Sequence, residues 1–371
     1  MPLIGSHATV TGGLATGGLA YAAAVGAEAI QLFVSNPRGW AAGGGDADED
    51  TRLRESEIPV YIHAPYLVNL GSADDLIASR SAAALAHALH RGSEIGARGV
   101  VVHTGSAVGQ DADQALRQVG TLLLPLLDKL GDDHPDLLLE PMAGQGNVLC
   151  ARASDLSPYL AALESHSKVG VCLDTCHLFA AGHDLAAPDG VAAALDEIER
   201  AAGPGRVRLV HANDSLLACG SRRDRHEAIG KGAIGVEPFR ELLAHPMLAD
   251  APFIAETPGG KTGHARDIEL LKELRCLFGP VLLGGRRELR GDLVGVHPQL
   301  DLPQVVDPRA SLDSFWREQR AAVLIGQFGD GQRADPPGFR HDLGLVQADQ
   351  RPEDRQRYGV VEGGDVLQCL A

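Results

Sequence analysis

What this chain lacks narrows it first. Across 371 residues no apolar run reaches the roughly 18 residues that a membrane helix needs. The opening residues Met1, Pro2, Leu3, Ile4 and Gly5 lack the charged start and apolar core of a signal peptide, so the expectation is a cytoplasmic protein. Positive charge is scarce: 33 Lys and Arg stand against 49 Asp and Glu, a formal net charge of −16. That argues against a bulk basic nucleic-acid binder but leaves room for a local basic site. None of the six cysteines, Cys150, Cys172, Cys176, Cys219, Cys276 and Cys369, forms a C-x-x-C pair. Neither a zinc ribbon nor a thioredoxin-type redox centre is therefore expected, and reduced, mostly buried thiols are. No strand candidate leads directly into G-x-G-x-x-G, so a dinucleotide-binding fold has no support.

What is present is a repeat. With 44% hydrophobic and 22% charged residues the composition is that of a globular protein. Short Val/Ile/Leu-rich runs, each ending in polar residues, lie at 3–7, 29–34, 60–64, 99–104, 136–140, 169–174, 206–212 and 252–256. Continuous apolar strands are what a parallel sheet covered on both faces requires. Between them the pattern predicts helices at 13–25, 77–95, 111–130, 154–164, 190–202, 236–243 and 264–277, with a Gly- and acid-rich loop over 41–57 holding at most a short helix. Eight such units predict an α/β fold, a (β/α)8 TIM barrel, rather than an open doubly wound sheet. The pattern stops near Leu283. Residues 1–285 are read as the barrel domain and 286–371 as an irregular C-terminal extension, with a short helix at 311–322. The barrel carries 22 basic and 35 acidic residues, so the acidity belongs to the body.

In such barrels chemistry sits at the C-terminal ends of the strands. Here those ends carry His63, His103, Glu140, Asp174 followed by His177, His211 with Asp224 and His226 in the next loop, and Glu256. A lone strand histidine is commonly a core residue, and Asp174 alone could simply cap a helix. Nine such groups at one rim are harder to explain that way, because four carboxylates packed together repel one another and raise their pKa values. Bound cations remove the conflict. Imidazole plus carboxylate suits zinc, manganese or iron, and nine ligands exceed the need of one tetrahedral ion. A multinuclear site of this kind typically hydrolyses phosphate esters. Three divalent ions would also bring the body from −13 to −7 and make the rim locally positive.

At these same residues the sequence resembles the endonuclease IV family of apurinic/apyrimidinic endonucleases. The matching segments are Ile4-Gly-Ser-His7, QLFVSNPRGW at 31–40, HAPYLVNL at 63–70, His103-Thr-Gly-Ser106, EPMAGQG at 140–146 and VGVCLDTCHLFAAGHDL at 169–185. They continue with His211-Ala-Asn-Asp214, GSRRDRHEAIGKGAIG at 220–235 and Ala255-Glu-Thr257. The resemblance spans about residues 3–277 and implies a TIM barrel with three zinc ions, manganese being possible at one site. By resemblance, His63, His103 and Glu140 hold one ion. Glu140, Asp174, His211 and Glu256 hold the second, and His177, Asp224 and His226 the third. The implied reaction is hydrolysis of the phosphodiester 5′ to an abasic site in damaged double-stranded DNA, leaving a 3′-hydroxyl and a 5′-deoxyribose phosphate, with removal of 3′ blocking groups. Glu140 is the expected catalytic residue, positioning the attacking water. Arg38, Tyr66 and Leu67 fall on the family's DNA-binding rim positions, where an apolar wedge and an Arg fill the space of an extruded nucleotide. The family implies a monomer with no membrane partner.

The chain also departs from the family. Pro141-Met142 stands where Asn-Thr is usual, Ala107 replaces a second His, and the 41–57 stretch is shorter than in many relatives. His7 matches a family position near the site but is not counted among the ligands. The alternative is a xylose-isomerase-like sugar isomerase or epimerase with one metal. Glu140, Asp174, His211 and Glu256 alone would suit it, but His63, His103, His177, Asp224 and His226 would have no task there.

Overall fold

The structure, a computed structural model, describes residues 1–276. The expected domain division at 285 and the short helix at 311–322 lie outside the described residues. In chain order the strands are β1 (Ile4–His7), β2 (Ile30–Leu32), β3 (Val60–His63), β4 (Gly99–His103), β5 (Asp136–Glu140), β6 (Val169–Asp174), β7 (Val207–His211), β8 (Asp214–Ser215), β9 (His226–Glu227) and β10 (Phe253–Ala255). The helices are α1 (Leu14–Val25), α2 (Ala47–Arg54), α3 (Asp75–Ile95), α4 (Ala112–Leu127), α5 (Leu156–Ala162), α6 (Thr175–Ala181), α7 (Gly190–Ala202), α8 (Val236–Ala244) and α9 (Gly260–Cys276). Strands β1 to β7 and β10 close into a barrel in the order β1-β10-β7-β6-β5-β4-β3-β2. Its pairs are parallel, and Gly5 opposite Ile254 completes the ring. The expected (β/α)8 barrel is therefore present, and all eight strand candidates fall on its staves.

Strand period two divides the core. Val100 and Val102 of β4, Leu137 and Leu139 of β5, and Val171 and Leu173 of β6 pack outward in a large core shared with the helices. Their alternates Val101, Leu138 and Cys172 join Ala29, Tyr61, Leu209 and Ile254 in a separate inner cluster. Helix α3 shows how the outer layer is built. Asp74 caps it by accepting from the N–H groups of Leu76 and Ile77, and Gly96 ends it at φ 70. Ala78, Ser81, Leu85, Ala88, Leu89, Gly92 and Ile95 form its buried stripe. Burying Leu85 and Leu89 stabilises the layer by about 2 kcal/mol each. The acid-rich loop at 41–57 contains α2, capped by Asp46. Its Asp50 receives Arg91 of α3 (Nη2–Oδ1 2.5 Å), which pins the short helix to the barrel wall.

Closure has a second fastening. Glu28 accepts from Ile4 N–H (2.9 Å) and from both terminal nitrogens of Arg275 on α9 (2.6 and 2.9 Å). Among the described residues no helix is long and apolar enough to cross a membrane.

The seam between β1 and β2 leaves no room for a side chain at Gly5: an added Cβ would lie 1.8 Å from the Ala29 carbonyl oxygen. Gly5→Ala is therefore expected to destabilise by about 3 kcal/mol or more in a denaturant titration, the upper range for overpacking against backbone. Gly26→Ala is the control. Its φ is +71 with nothing within 4 Å, so it should lose only the 1–2 kcal/mol or so of left-handed backbone strain.

Candidate metal centre

The inner cluster determines which atoms meet at the barrel mouth. Tyr61, Val101, Leu138, Cys172, Leu209 and Ile254 are followed two positions later by His63, His103, Glu140, Asp174, His211 and Glu256. Residues two apart in a strand share a face, so an inward core residue aims an inward strand-end residue. The other three expected residues come from the connecting segments: His177 from the first turn of α6, Asp224 from the loop between β8 and β9, and His226 from β9.

Glu140 is the hub and is 1% exposed. Its Oε2 faces His63 Nε2 (3.3 Å) and His103 Nε2 (3.5 Å), and its Oε1 lies 3.2 Å from both His177 Nδ1 and His211 Nδ1. His211 Nδ1 also faces Glu256 Oε2 (3.3 Å) and Asp174 Oδ2 (3.9 Å). Asp224 bridges the remaining pair, with Oδ2 3.2 Å from His177 Nε2 and Oδ1 3.1 Å from His226 Nε2. Three sets of donor atoms each lie within 4.8 Å of one another: His63, His103 and Glu140; Glu140, Asp174 and His211; Asp174, His177 and His226. All nine expected groups therefore meet, and Asp174 stands closer to the His177–His226 pair than its expected single assignment implied.

The imidazoles are oriented for this. Nδ1 of His63 donates to Ala64 O (2.7 Å), Nδ1 of His177 to Pro141 O (3.1 Å) and Nδ1 of His226 to Glu256 O (3.3 Å). Each ring thereby turns its Nε2 toward carboxylates, the arrangement by which an outer partner fixes the tautomer of a metal-binding histidine. Pro141, a departure from the family pattern, contributes through its carbonyl, which any residue supplies. Within this group two buried atoms, Glu140 Oε2 and His226 Nε2, make no aligned hydrogen bond and have only the imidazole and carboxylate contacts given above. Leaving such atoms bare is costly. An inward-facing set of nitrogens and carboxylate oxygens with unmet valence fits divalent cations of the zinc or manganese type.

The electrostatics agree. Burial alone would raise the Glu140 carboxyl, yet His211, His103 and His177 around it hold it well below the usual carboxylate range. Asp224 is likewise held down, against burial, by His177 and His226. His226 is raised to about 9, burial opposing and Asp224 and Asp174 prevailing. The protein thus places anionic carboxylates around a pocket that attracts positive charge. Cys176 is the one thiol at the edge, within 4.8 Å of Asp224 and His226. Burial pushes it up to about 12 and it donates to Arg225 O, a reduced, buried thiol of the kind expected.

Several supporting residues were not singled out from sequence. Asp174 does cap a helix, its Oδ1 accepting His177 N–H (2.8 Å), while Oδ2 is free for the site and is held by Asn213 Nδ2 (2.7 Å). Asn213 Oδ1 in turn accepts Glu256 N–H (2.9 Å). Asp214 is fully buried and accepts N–H groups from Ser215, Gly230, Gly232, Ile234 and Gly235 at 2.8–3.3 Å. The run Gly230–Gly235 spells G-x-G-x-x-G, but its N–H groups wrap an internal carboxylate rather than a phosphate. Gln31 also reaches the mouth, touching Glu256 Oε1 (2.7 Å), beside His7 (3.2 Å from the same oxygen), which the sequence had placed near the site without counting it as a ligand. For Gln31 the available signal was its position two residues after the inward-facing Ala29.

The three expected DNA-contact residues lie on two rim loops joined by Tyr66 N–H to Pro37 O (2.9 Å). Arg38 is exposed and Leu67 half-buried. Tyr66 is 47% exposed, and its ring lies over His103 at 5.9 Å and 23°. Ala107 is buried, its N–H donating to Asn147 O.

A family model described as a xylose isomerase-like TIM barrel matches residues 19–274. The chain is 54% identical over 278 residues to the probable endonuclease 4 of Streptomyces avermitilis, covering 73% of this chain and 90% of that protein. It is 53% identical to that of Streptomyces coelicolor, covering 73% and 95%. Among solved structures, endonuclease IV from Thermus thermophilus matches with a TM-score of 0.65 at 35% identity, covering 74% of this chain and 98% of that one. A D-tagatose 3-epimerase-like protein matches with a TM-score of 0.58 at 19% identity, covering 74% and 97%. That last likeness is one of fold.

Asp214 provides a test of how the third set is held. Asp214→Asn replaces an oxygen that accepts N–H groups with an NH2 that cannot. The variant is expected to lose about 3 kcal/mol of stability and to show faster amide exchange confined to 214–235. Unchanged exchange in that loop would remove Asp214 from this role.

Proposed function

The chain belongs to the endonuclease IV family of DNA-cleaving hydrolases, and from that membership we propose that it is a DNA-repair endonuclease acting at abasic sites through a trinuclear zinc centre. The observation that carries the proposal is the meeting of all nine His, Asp and Glu side chains at one barrel mouth, with Glu140 Oε2 buried against two imidazoles and making no aligned hydrogen bond. His63, His103 and Glu140 would hold one ion, Glu140, Asp174, His211 and Glu256 the second, and His177, Asp224 and His226 the third. Ions held there would supply Lewis acidity, lowering the pKa of a water and neutralising charge on the phosphoryl oxygens.

The chain's own residues then divide the work. Glu140, reaching two sets through its two oxygens, is the catalytic residue that orients the attacking water. Water oxygen bonds to phosphorus and the phosphorus–O3′ bond breaks. The proton passes to the departing oxygen, leaving a 3′-hydroxyl and a 5′-deoxyribose phosphate. Removal of 3′ blocking groups is the same displacement at a strand end. Tyr66 and Leu67 enter the duplex as a wedge and Arg38 fills the vacated space; a nucleotide without a base costs less to unstack. Exposed Arg222, Arg223 and Arg225 beside Asp224 supply positive charge for phosphates on an otherwise acidic chain. A one-metal sugar isomerase leaves His177, Asp224 and His226 without a task.

The test is a duplex oligonucleotide bearing one abasic analogue, incubated with protein before and after chelation. Metal-dependent cutting on the 5′ side, yielding a 3′-hydroxyl end, is expected. Glu140→Gln should reduce the rate by at least about a hundredfold. No cutting by folded, zinc-replete protein would contradict the proposal.

A further inference from the structure

Gln31 is fully buried in the middle of β2, where a carboxamide must place both its donors and its acceptor. Its two ends reach three partners. Oε1 lies 2.9 Å from His211 Nε2, and Nε2 lies 2.7 Å from Glu256 Oε1 and 3.1 Å from His7 Nδ1. A carboxylate only accepts, so the NH2 end faces Glu256 and the oxygen faces His211. His211 must then carry a hydrogen on Nε2, so that when the ring is neutral, as a metal ligand has to be, Nδ1 is the lone-pair nitrogen. That nitrogen is the one facing Glu140 Oε1, Glu256 Oε2 and Asp174 Oδ2.

The other anchored imidazoles differ in one respect. His63, His177 and His226 donate to backbone carbonyls, which no substitution removes. His211 donates to a side chain. We propose that Gln31 is a positioning residue for the second ion, selecting Nδ1 of His211 and Oε2 of Glu256 as the atoms offered to it. The inference rests on the trinuclear reading above. It predicts that the second ion alone depends on the residue at position 31.

Gln31→Met keeps the length and loses all three hydrogen bonds. Wild-type and variant protein are stripped with a chelator and titrated with zinc against a chromophoric competitor, with circular dichroism to confirm the fold. The expected result is three ions on the wild type, and on the variant one ion weakened by about ten- to a hundredfold, the usual effect of losing an outer partner, with the other two unchanged. A merely structural role would lower the melting temperature without singling out one ion. Wild-type affinity at all three positions in the variant overturns the inference and leaves the trinuclear reading standing. A wild type that takes up no zinc overturns that reading instead. Nitrogen NMR of the His211 ring in zinc-loaded wild-type protein needs no variant: hydrogen on Nε2 is expected, and hydrogen on Nδ1 overturns the inference.

Discussion

Four carboxylates, Glu140, Asp174, Asp224 and Glu256, stand within about one hydrogen bond of five imidazoles at the mouth of a parallel barrel, and the local design answers to that crowding. Glu140 and Asp174 are closed off from water. Without compensating positive charge, burial and mutual repulsion would drive their protons back on. The protein holds the Glu140 and Asp224 carboxyls down by surrounding them with histidines, and several histidines at the mouth turn their outer nitrogen to a neutral oxygen and their inner nitrogen to the carboxylates. The same arrangement makes the pocket a receptor for divalent cations, because the groups that balance the carboxylates are themselves ligands.

The barrel makes this arrangement simple to build. Each stave places an apolar residue in the inner cluster and, two residues later, a polar one at the mouth: Val101 then His103, Leu138 then Glu140, Cys172 then Asp174. That rule made the barrel and six of the nine proposed ligand positions legible in the sequence, since both follow from local period and strand length. His177 was legible because it shares one helical turn with Asp174. Asp224 and His226 sit in a loop whose path depends on distant partners; the sequence placed them in the segment after β7, and only the resemblance to a known family assigned them to an ion.

What the sequence concealed is non-local and polar. The β8–β9 ribbon is held by pairing across 214–227 and organised by Asp214, whose donors lie up to 21 positions away. Asn213 joins Asp174 to Glu256 across 82 residues of chain. Gln31 touches residues 180 and 225 positions distant. None of these residue types announces itself as a ligand, and no periodicity in hydropathy records a hydrogen bond. The departure at Pro141 became interpretable only once a backbone carbonyl was seen in its place.

The central claim is that this mouth holds three cations in the sets that Glu140 and Asp174 link. Anomalous diffraction at the zinc edge, from crystals grown with zinc, tests it most directly. The account predicts three peaks: one among His63, His103 and Glu140, one among Glu140, Asp174, His211 and Glu256, and one among His177, Asp224 and His226. A single peak confined to the second set, or none at the mouth, would contradict it.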